Sequence, residues 1–435
     1  MYGQPEPCVL IAGNGVAASA LACVLRERGF GVVLLTRRRL GGAVHGVVEA
    51  LPDATVRLFA EVGLATGLAA AGAVAVRGFD NAYGPDPAHR LEGMWTHVDR
   101  ARLARECLLA ARRRGATELP VADVGMPVAI GESGVQVRVR GAHGARGGCL
   151  RGFAAVDATG RAARWSRPVS RAGAGGAALF SGPGSALPRR GCVTRIEDGW
   201  AYRLDHPQAS TVGIVTRPGV PATLRGHVAA RLDIADPRSY VRVATRPAGV
   251  QWCDQPVAPE RLPIGDAALA FSPVAGQGLR FALASVLAAA TVLESWNDGT
   301  GALACDYYRS FVEGARTRHL AKLATIGVVD PLGDPTPRGP RTGMPDRNSP
   351  LRFAAGLERV GVNIDGRIVA DTCCVLPDGG LVRWVGGFDL LQLRDAVAGG
   401  RTWTQVCAAL GAAGVPDTTA DALMAWALRS GVIAA

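Results

Sequence analysis

The sequence has almost no lysine. Of its 48 basic residues one, Lys322, is lysine and the other 47 are arginine. Any chemistry that needs an amine side chain must therefore use Lys322. The ten cysteines form no CxxC pair, which excludes a zinc ribbon and a thioredoxin-type centre. Adjacent Cys373 and Cys374 would point to opposite faces of a strand, a poor geometry for a shared metal. Cys8, Cys23 and Cys107 lie in apolar runs, where a small buried thiol is expected. The opening MYGQPEPCVLIAG lacks the basic region of a secretory signal. The longest uncharged apolar run near the middle, Phe281 to Leu293, is too short to span a bilayer. A soluble cytoplasmic protein with reduced thiols is expected. Basic residues cluster only briefly, at Arg37–Arg39 and Arg112–Arg114, without interleaved aromatics, so neither nucleic acid nor membrane is favoured as partner.

What is present is a large apolar chain. At 435 residues, 48% hydrophobic and 20% charged, it has material for two to three domains. An Ala-, Arg- and Gly-rich codon usage accounts for most of the charge imbalance. The net charge of +11 also suits an acidic partner.

Cys8 to Ala12 reads as a buried parallel strand. Gly13-Asn-Gly15-Val16-Ala17-Ala18 follows, then a helical stretch from Ser19 to Arg28 and a second strand from Gly31 to Leu35. This is a GxGxxA fingerprint in its βαβ setting. Gly13 permits the turn, Gly15 admits a pyrophosphate to the backbone, and Ala18 keeps helix and strand close. The acidic residue that usually ends the second strand is replaced by Thr36, followed by Arg37. A hydroxyl holds a ribose less firmly than a carboxylate does.

Two later segments add to this. Phe153 to Val156 is a short apolar strand ending in Asp157-Ala-Thr-Gly160-Arg161. Leu262 to Ala268 carries Gly265-Asp266 and leads to Pro273-Val-Ala-Gly276-Gln277-Gly278-Leu279, which opens an apolar helix. Such a turn presents backbone amides to an anion. The order GxGxxA, DATGR, GDAA…PxxGQGL resembles the FAD-binding elements of flavoprotein monooxygenases and reductases with the p-hydroxybenzoate-hydroxylase-type fold. His97-Val-Asp99-Arg100 matches the segment whose arginine lies near the flavin in those families. The resemblance implies an α/β fold with a Rossmann-like dinucleotide domain and an interleaved α+β substrate sheet. It also implies FAD as cofactor, reduced by NAD(P)H directly or through a separate flavin reductase. The alternating stretches between Arg161 and Leu262 read as the antiparallel strands of that sheet.

Gly46-Val-Val-Glu49-Ala-Leu-Pro52 and the helix after it resemble the GVGEAT loop and helix of tryptophan halogenases and their relatives. Gly199-Trp200-Ala-Tyr202-Arg-Leu204 partly copies their WxWxIP motif, which marks Trp200 and Tyr202 as pocket residues. The halogenases carry a lysine shortly after that helix. Here Ala69 to Phe79 reads AAAGAVAVRGF, and Arg77 is its one basic residue. Arginine does not deprotonate to form an equivalent adduct, so halogenation is disfavoured. The flavin chemistry that remains is hydroxylation of an electron-rich ring through a C4a-hydroperoxide. That chemistry fixes no catalytic side chain, and His45, Glu49, His97 and His206 are the candidate proton relays.

Residues 331–350 are rich in Pro and Gly and read as a linker. It would separate an FAD-binding domain at 1–330, with its substrate sheet at about 162–260, from a C-terminal module at 351–435. In that module Pro377-Asp-Gly-Gly380 reads as a hairpin turn. Helices are expected over Phe388–Val397, Thr402–Leu410 and Thr418–Arg429, with Thr402 and Thr418 as caps. Hairpin and helices resemble a small winged-helix module of the peptide-recognition type, which can bind a peptide by adding a strand to the hairpin edge. Together these features resemble the flavoprotein monooxygenases of tryptophylquinone biogenesis, which hydroxylate a tryptophan of a polypeptide precursor. The rival readings are a small-molecule aromatic hydroxylase or epoxidase of secondary metabolism, a non-catalytic flavoprotein maturation chaperone, and a reductase of the geranylgeranyl type.

Overall fold

The computed structural model describes residues 7–37, 46–83, 89–131, 134–142, 147–173, 175–186, 190–224, 226–258, 261–273, 276–325, 347–377, 379–385 and 387–434. The chain divides into two compact units, Met1–Gly299 and Thr300–Ala435. The expected linker falls largely on 331–346, outside the described residues. The division at 299/300 places the helix Gly301–Thr325 in the second unit rather than in a domain ending at 330.

The first unit opens with β1 (Cys8–Ala12), α1 (Val16–Glu27) and β2 (Gly31–Arg37). It continues through β3 (Val48–Pro52), α2 (Asp53–Glu61), α3 (Ala65–Ala70), β4 (Val74–Ala82), β5 (His89–Asp99) and α4 (Arg100–Arg113). Next come β6 (Thr117–Val124), β7 (Val128–Ala129), β8 (Val135–Gly141), β9 (Gly148–Gly152) and β10 (Ala154–Asp157). One sheet has the order β18-β10-β1-β2-β6-β8-β7, with β9 on β8 and β18 formed by Leu262–Pro263. The pairs from β18 to β6 are parallel. β10 is buried throughout and β1 over four of its five residues, as strands covered on both faces must be. β1 lies between β2 and β10, so the strand order switches at its carboxyl end. A crevice opens at such a switch point.

The second sheet has the order β16-β12-β15-β14-β13-β4-β5-β3. Its later strands are β12 (Gly176–Gly182), β13 (Gly191–Ile196), β14 (Gly199–His206), β15 (Ala209–Thr216) and β16 (Val241–Pro247). The sheet expected at about 162–260 is therefore not confined to that span, because β3, β4 and β5 complete it from the first hundred residues. A small sheet joins β11 (Val169–Ala172), β17 (Val250–Cys253) and β19 (Leu269–Ala270). One face of the second sheet is closed by α5 (His227–Arg231). There Val228, Ala229, Leu224 and Leu232 pack on Phe180, Ala201, Val212 and Ile214.

α6 (Gly278–Asn297) is long and apolar enough to cross a membrane by length and composition, but 67% of its apolar window is buried in the protein, as in a core helix.

In the second unit α7 (Gly301–Thr325) packs on a hairpin of β21 (Gly356–Ile364) and β22 (Arg367–Val375), which follow β20 (Arg352–Phe353). A Cβ on Gly361 would come within 2.9 Å of the Leu303 carbonyl, so glycine allows that close approach. Asp365 and Gly366 turn the hairpin with φ of 49° and 83°, as a two-residue primed turn requires. The Pro377–Gly380 turn joins β22 to β23 (Leu381–Val382), with Leu376 N–H donating to the Gly380 carbonyl. β24 (Trp384–Val385), β25 (Phe388–Asp389), α8 (Leu390–Val397), α9 (Trp403–Ala412), α10 (Asp417–Arg429) and β26 (Ile433–Ala434) follow. Thr402 and Gln405 form a reciprocal capping box at α9. α10 begins after Pro416, so Thr418 lies inside the helix and is not its cap. The helices enclose a core around Leu390, Trp403, Val406, Leu423 and Met424.

Candidate functional site

The cradle at the carboxyl end of β1 is built from glycines with different tasks. Gly13 has φ 134°, and a Cβ there would lie 2.3 Å from the Ala158 carbonyl oxygen. It is fixed by packing against the loop after β10. Gly15 precedes α1, and nothing lies within 4 Å of where its Cβ would be. No side chain caps the amino end of α1, and its first turn holds no acidic residue. Its first N–H groups therefore face an open space with partial positive charge. Val16 and Ala18 are buried behind that end. Gly265, at φ 56°, brings its turn against α1 and α6, and a Cβ would meet Ala17 at 3.2 Å and Ala282 at 3.5 Å. Ser285 accepts from Gly265 N–H at 2.9 Å and donates to the Ala282 carbonyl at 2.7 Å, which pins this junction. Gly276 and Gly278 likewise leave open space before α6, whose N-cap residue Gln277 makes no side-chain capping hydrogen bond. Pro273 is exposed and Leu279 half-buried at the same end.

Asp157 and Thr36, both expected at the cofactor, are hydrogen-bonded within the protein. Among the described residues the Asp157 carboxylate hydrogen-bonds to its own loop. It accepts from Thr159 N–H (2.9 Å), the Thr159 hydroxyl (2.6 Å), Trp165 N–H (2.8 Å) and the Ser166 hydroxyl (2.7 Å). It shapes the loop that carries Gly160 and Arg161. Arg161 in turn donates to the Gly249 and Phe271 carbonyls at 2.8 and 2.7 Å, tying that loop to the small sheet. Thr36 is buried and donates to Glu118 of β6 at 3.0 Å, so a carboxylate stands beside the place where β2 lacks one. Arg37 is exposed.

Arg100 is the first residue of α4, capped by Asp99, whose carboxylate accepts from Arg102 N–H at 2.8 Å and Gly46 N–H at 3.0 Å. Arg100 donates to Glu49 of β3 at 2.8 Å. The Glu49 charge, then that of Asp266, raises the pKa of the guanidinium. Tyr202 lies in the same electrostatic neighbourhood. Its phenol is pushed up by burial and then by Glu49, with Arg100 and Arg246 pulling the other way.

Trp200, Tyr202 and Leu204 alternate onto the face opposite α5. The rings of Trp200 and Tyr202 lie 5.8 Å apart, and Tyr83 meets Trp200 edge-on at 6.1 Å. Gly213 makes room for Tyr202, since a Cβ there would come within 2.0 Å of the ring. Gly213, Tyr83 and Arg246 were not legible as site residues. The signal for them is strand register, which a sequence does not carry.

Two of the three candidate histidines hydrogen-bond to the protein backbone. His206 Nε2–H donates to the Gly72 carbonyl at 2.8 Å while Nδ1 accepts from Gln208 N–H at 3.3 Å. His97 Nδ1 lies 2.7 Å from the Asp205 carbonyl, and Nε2 has no hydrogen-bond partner among the described residues. Burial lowers its pKa. His45 lies outside the described residues. Among those described, no group of His, Cys, Asp and Glu could hold a metal. Lys322 is exposed on α7 of the second unit.

A switch-point cradle on a mainly parallel sheet, with a second, mostly antiparallel sheet beside it, is the fold of the flavin-dependent halogenases and hydroxylases. No family model and no curated protein matches the sequence. Among solved structures the chain is similar to the peptidyl tryptophan dihydroxylase QhpG, essential for tryptophylquinone cofactor biogenesis. The two are 21% identical with a TM-score of 0.69, covering 98% of this chain and 100% of that one. It is also similar to the flavin-dependent halogenase CmlS (16%, TM-score 0.70, 99% and 96% covered). The myxobacterial chondrochloren halogenase CndH matches over less of the chain (22%, TM-score 0.59, 74% and 83% covered).

Proposed function

We propose that this chain is an FAD-dependent monooxygenase that hydroxylates the indole ring of a tryptophan within a polypeptide. The observation that carries the reading is the place of Arg100, within electrostatic reach of Asp266 at the cradle and of Tyr202 on the aromatic face. It joins the two halves of a flavin site. The open glycines, the two uncapped helix ends and Asp266 fit a dinucleotide whose pyrophosphate and sugar need amides and a carboxylate.

Bound FAD would supply the activation of O2 that puts oxygen on an electron-rich ring. The chain's own residues then have limited tasks. The Glu49-held Arg100 fixes a positive charge between cradle and aromatic face, available to negative charge that develops there. Tyr202 keeps its proton at neutral pH because burial raises its pKa, so it donates a hydrogen bond rather than acting as base. Trp200, with Tyr202 tilted beside it and Tyr83 edge-on, gives an indole aromatic surroundings. His206 has both nitrogens engaged and is no relay. The first unit contains no lysine, which sets the chain against the halide chemistry of the halogenases it resembles.

The second unit is read as a winged-helix-like module that docks the precursor peptide. Support comes from the outer edge of β21, which among the described residues pairs only with β22. QhpG, similar along its whole length, is by name a peptidyl hydroxylase. Reducing equivalents come from NAD(P)H or a separate flavin reductase. All ten cysteines are free, which supports a cytoplasmic setting. The test is to load the protein with FAD, reduce it, and add O2 with a tryptophan-containing precursor peptide. Oxygen gained by the peptide supports the reading. Oxidation of free small aromatics with the peptide unchanged refutes it.

A further inference from the structure

Paired residues in adjacent antiparallel strands put their side chains on the same face of a sheet. In the second sheet Arg246 of β16 pairs with Ala177 of β12, and Ala177 with Val215 of β15. Val215 pairs with Trp200 of β14, and Trp200 with Arg195 of β13. One row across the sheet therefore has an arginine at each end and apolar residues between, an indole among them, against which the half-buried Tyr83 and Tyr202 pack. Ala177, Val215 and Trp200 are buried, whereas both arginines are exposed. Electrostatics give the same face independently: Arg246 acts on the Tyr202 phenol and Arg195 on that of Tyr83. The other face is closed by α5. Four strand steps of about 4.8 Å separate the two arginines by roughly 19 Å at the backbone. An extended peptide covers about 3.3 Å per residue, so some five or six residues span the row.

We infer that this row selects a polypeptide segment carrying carboxylate side chains on both sides of the aromatic residue it presents. The inference rests on the monooxygenase reading and names the charge of its substrate. Arginine is suited to the task, since its fork binds a carboxylate bidentately and keeps its charge at any working pH. The net charge of +11 draws an acidic chain toward the protein before docking.

The test uses the full chain loaded with FAD and three synthetic peptides. Each has one tryptophan, flanked by glutamates, by glutamines or by lysines. Binding is read by fluorescence anisotropy at low and high salt. The glutamate peptide is expected to bind about tenfold tighter than the glutamine peptide at low salt, and the lysine peptide weakest. Arg195→Gln and Arg246→Gln should each cut that preference several-fold, with Arg→Lys restoring part of it. Arg242→Gln, on the opposite face against Phe180, should leave it intact. Equal binding of the three peptides, no binding by any, or full preference in both Gln variants with FAD still bound overturns the inference. Product mass in the same samples separates the two readings. Oxygen on all three peptides at equal rates refutes charge selection and leaves the monooxygenase standing. Charge-selective binding with no oxygen on any peptide supports the row and counts against the monooxygenase.

Discussion

The Arg100 guanidinium donates to the Glu49 carboxylate across 2.8 Å, joining the first residue of α4 to β3. The pair is partly open to solvent, with the side chains 51% and 29% exposed, so screening limits its worth to the fold. Arg100→Met is expected to lower stability by less than about 1 kcal/mol. It should weaken FAD binding about tenfold, or ~1.4 kcal/mol. Urea unfolding of the cofactor-free protein and flavin-fluorescence titration measure the two effects separately. Loss of stability with unchanged flavin affinity would make the pair purely structural.

Gly13 and Gly15 should separate in the same way. Gly13→Ala puts a Cβ 2.3 Å from a carbonyl oxygen in a left-handed backbone, and is expected to destabilise by about 1–3 kcal/mol. Gly15→Ala meets nothing in the chain itself. Its melting temperature without FAD should match that of the parent protein while FAD affinity falls. A Gly15→Ala variant that binds FAD normally would contradict the cradle.

Gly213→Ala drives a methyl into the Tyr202 ring and should displace it from the aromatic face. Flavin binding is expected to persist while substrate turnover falls about tenfold. Flavin fluorescence and peptide mass, measured on one sample, decide this. Normal turnover would remove Tyr202 from the site.

The single lysine has a local electrostatic effect. Burial and then the Lys322 charge lower the His319 pKa to about 4. The unfolded chain takes up that proton near pH 6.5, before the folded one does. This contribution to stability is complete above about pH 6.5 and falls as the pH drops toward 4, by at most roughly 3 kcal/mol. Buried His97, also lowered, acts in the same direction. Urea midpoints across this range should fall less steeply for His319→Gln. An unchanged slope would contradict a buried neutral imidazole.

The legible parts of the molecule were those in which neighbours in sequence make the contact. The βαβ opening, the Gly265–Asp266 turn and the GQG entry to α6 are of this kind. Asp157 was visible as a polar residue closing a strand. Its engagement with Thr159, Trp165 and Ser166 depends on how the following loop folds back. The partner of Thr36 is 82 residues away, so no local pattern announces Glu118. β3, β4 and β5 join the substrate sheet through β13, a parallel pairing across more than a hundred residues. The row from Arg195 to Arg246 exists only in the register of five strands. In the second unit Asp365-Gly366 turns the longer hairpin, while the more conspicuous glycines at 379 and 380 serve the shorter one.

Isotopically heavy O2 tests the central claim most directly. The FAD-loaded, reduced protein is mixed with a tryptophan peptide flanked by glutamates, in buffer containing bromide, and the peptide is fragmented by mass spectrometry. The expected result is heavy oxygen on the indole and no bromine. A brominated indole, or an unaltered peptide with the oxygen released as hydrogen peroxide, would contradict it.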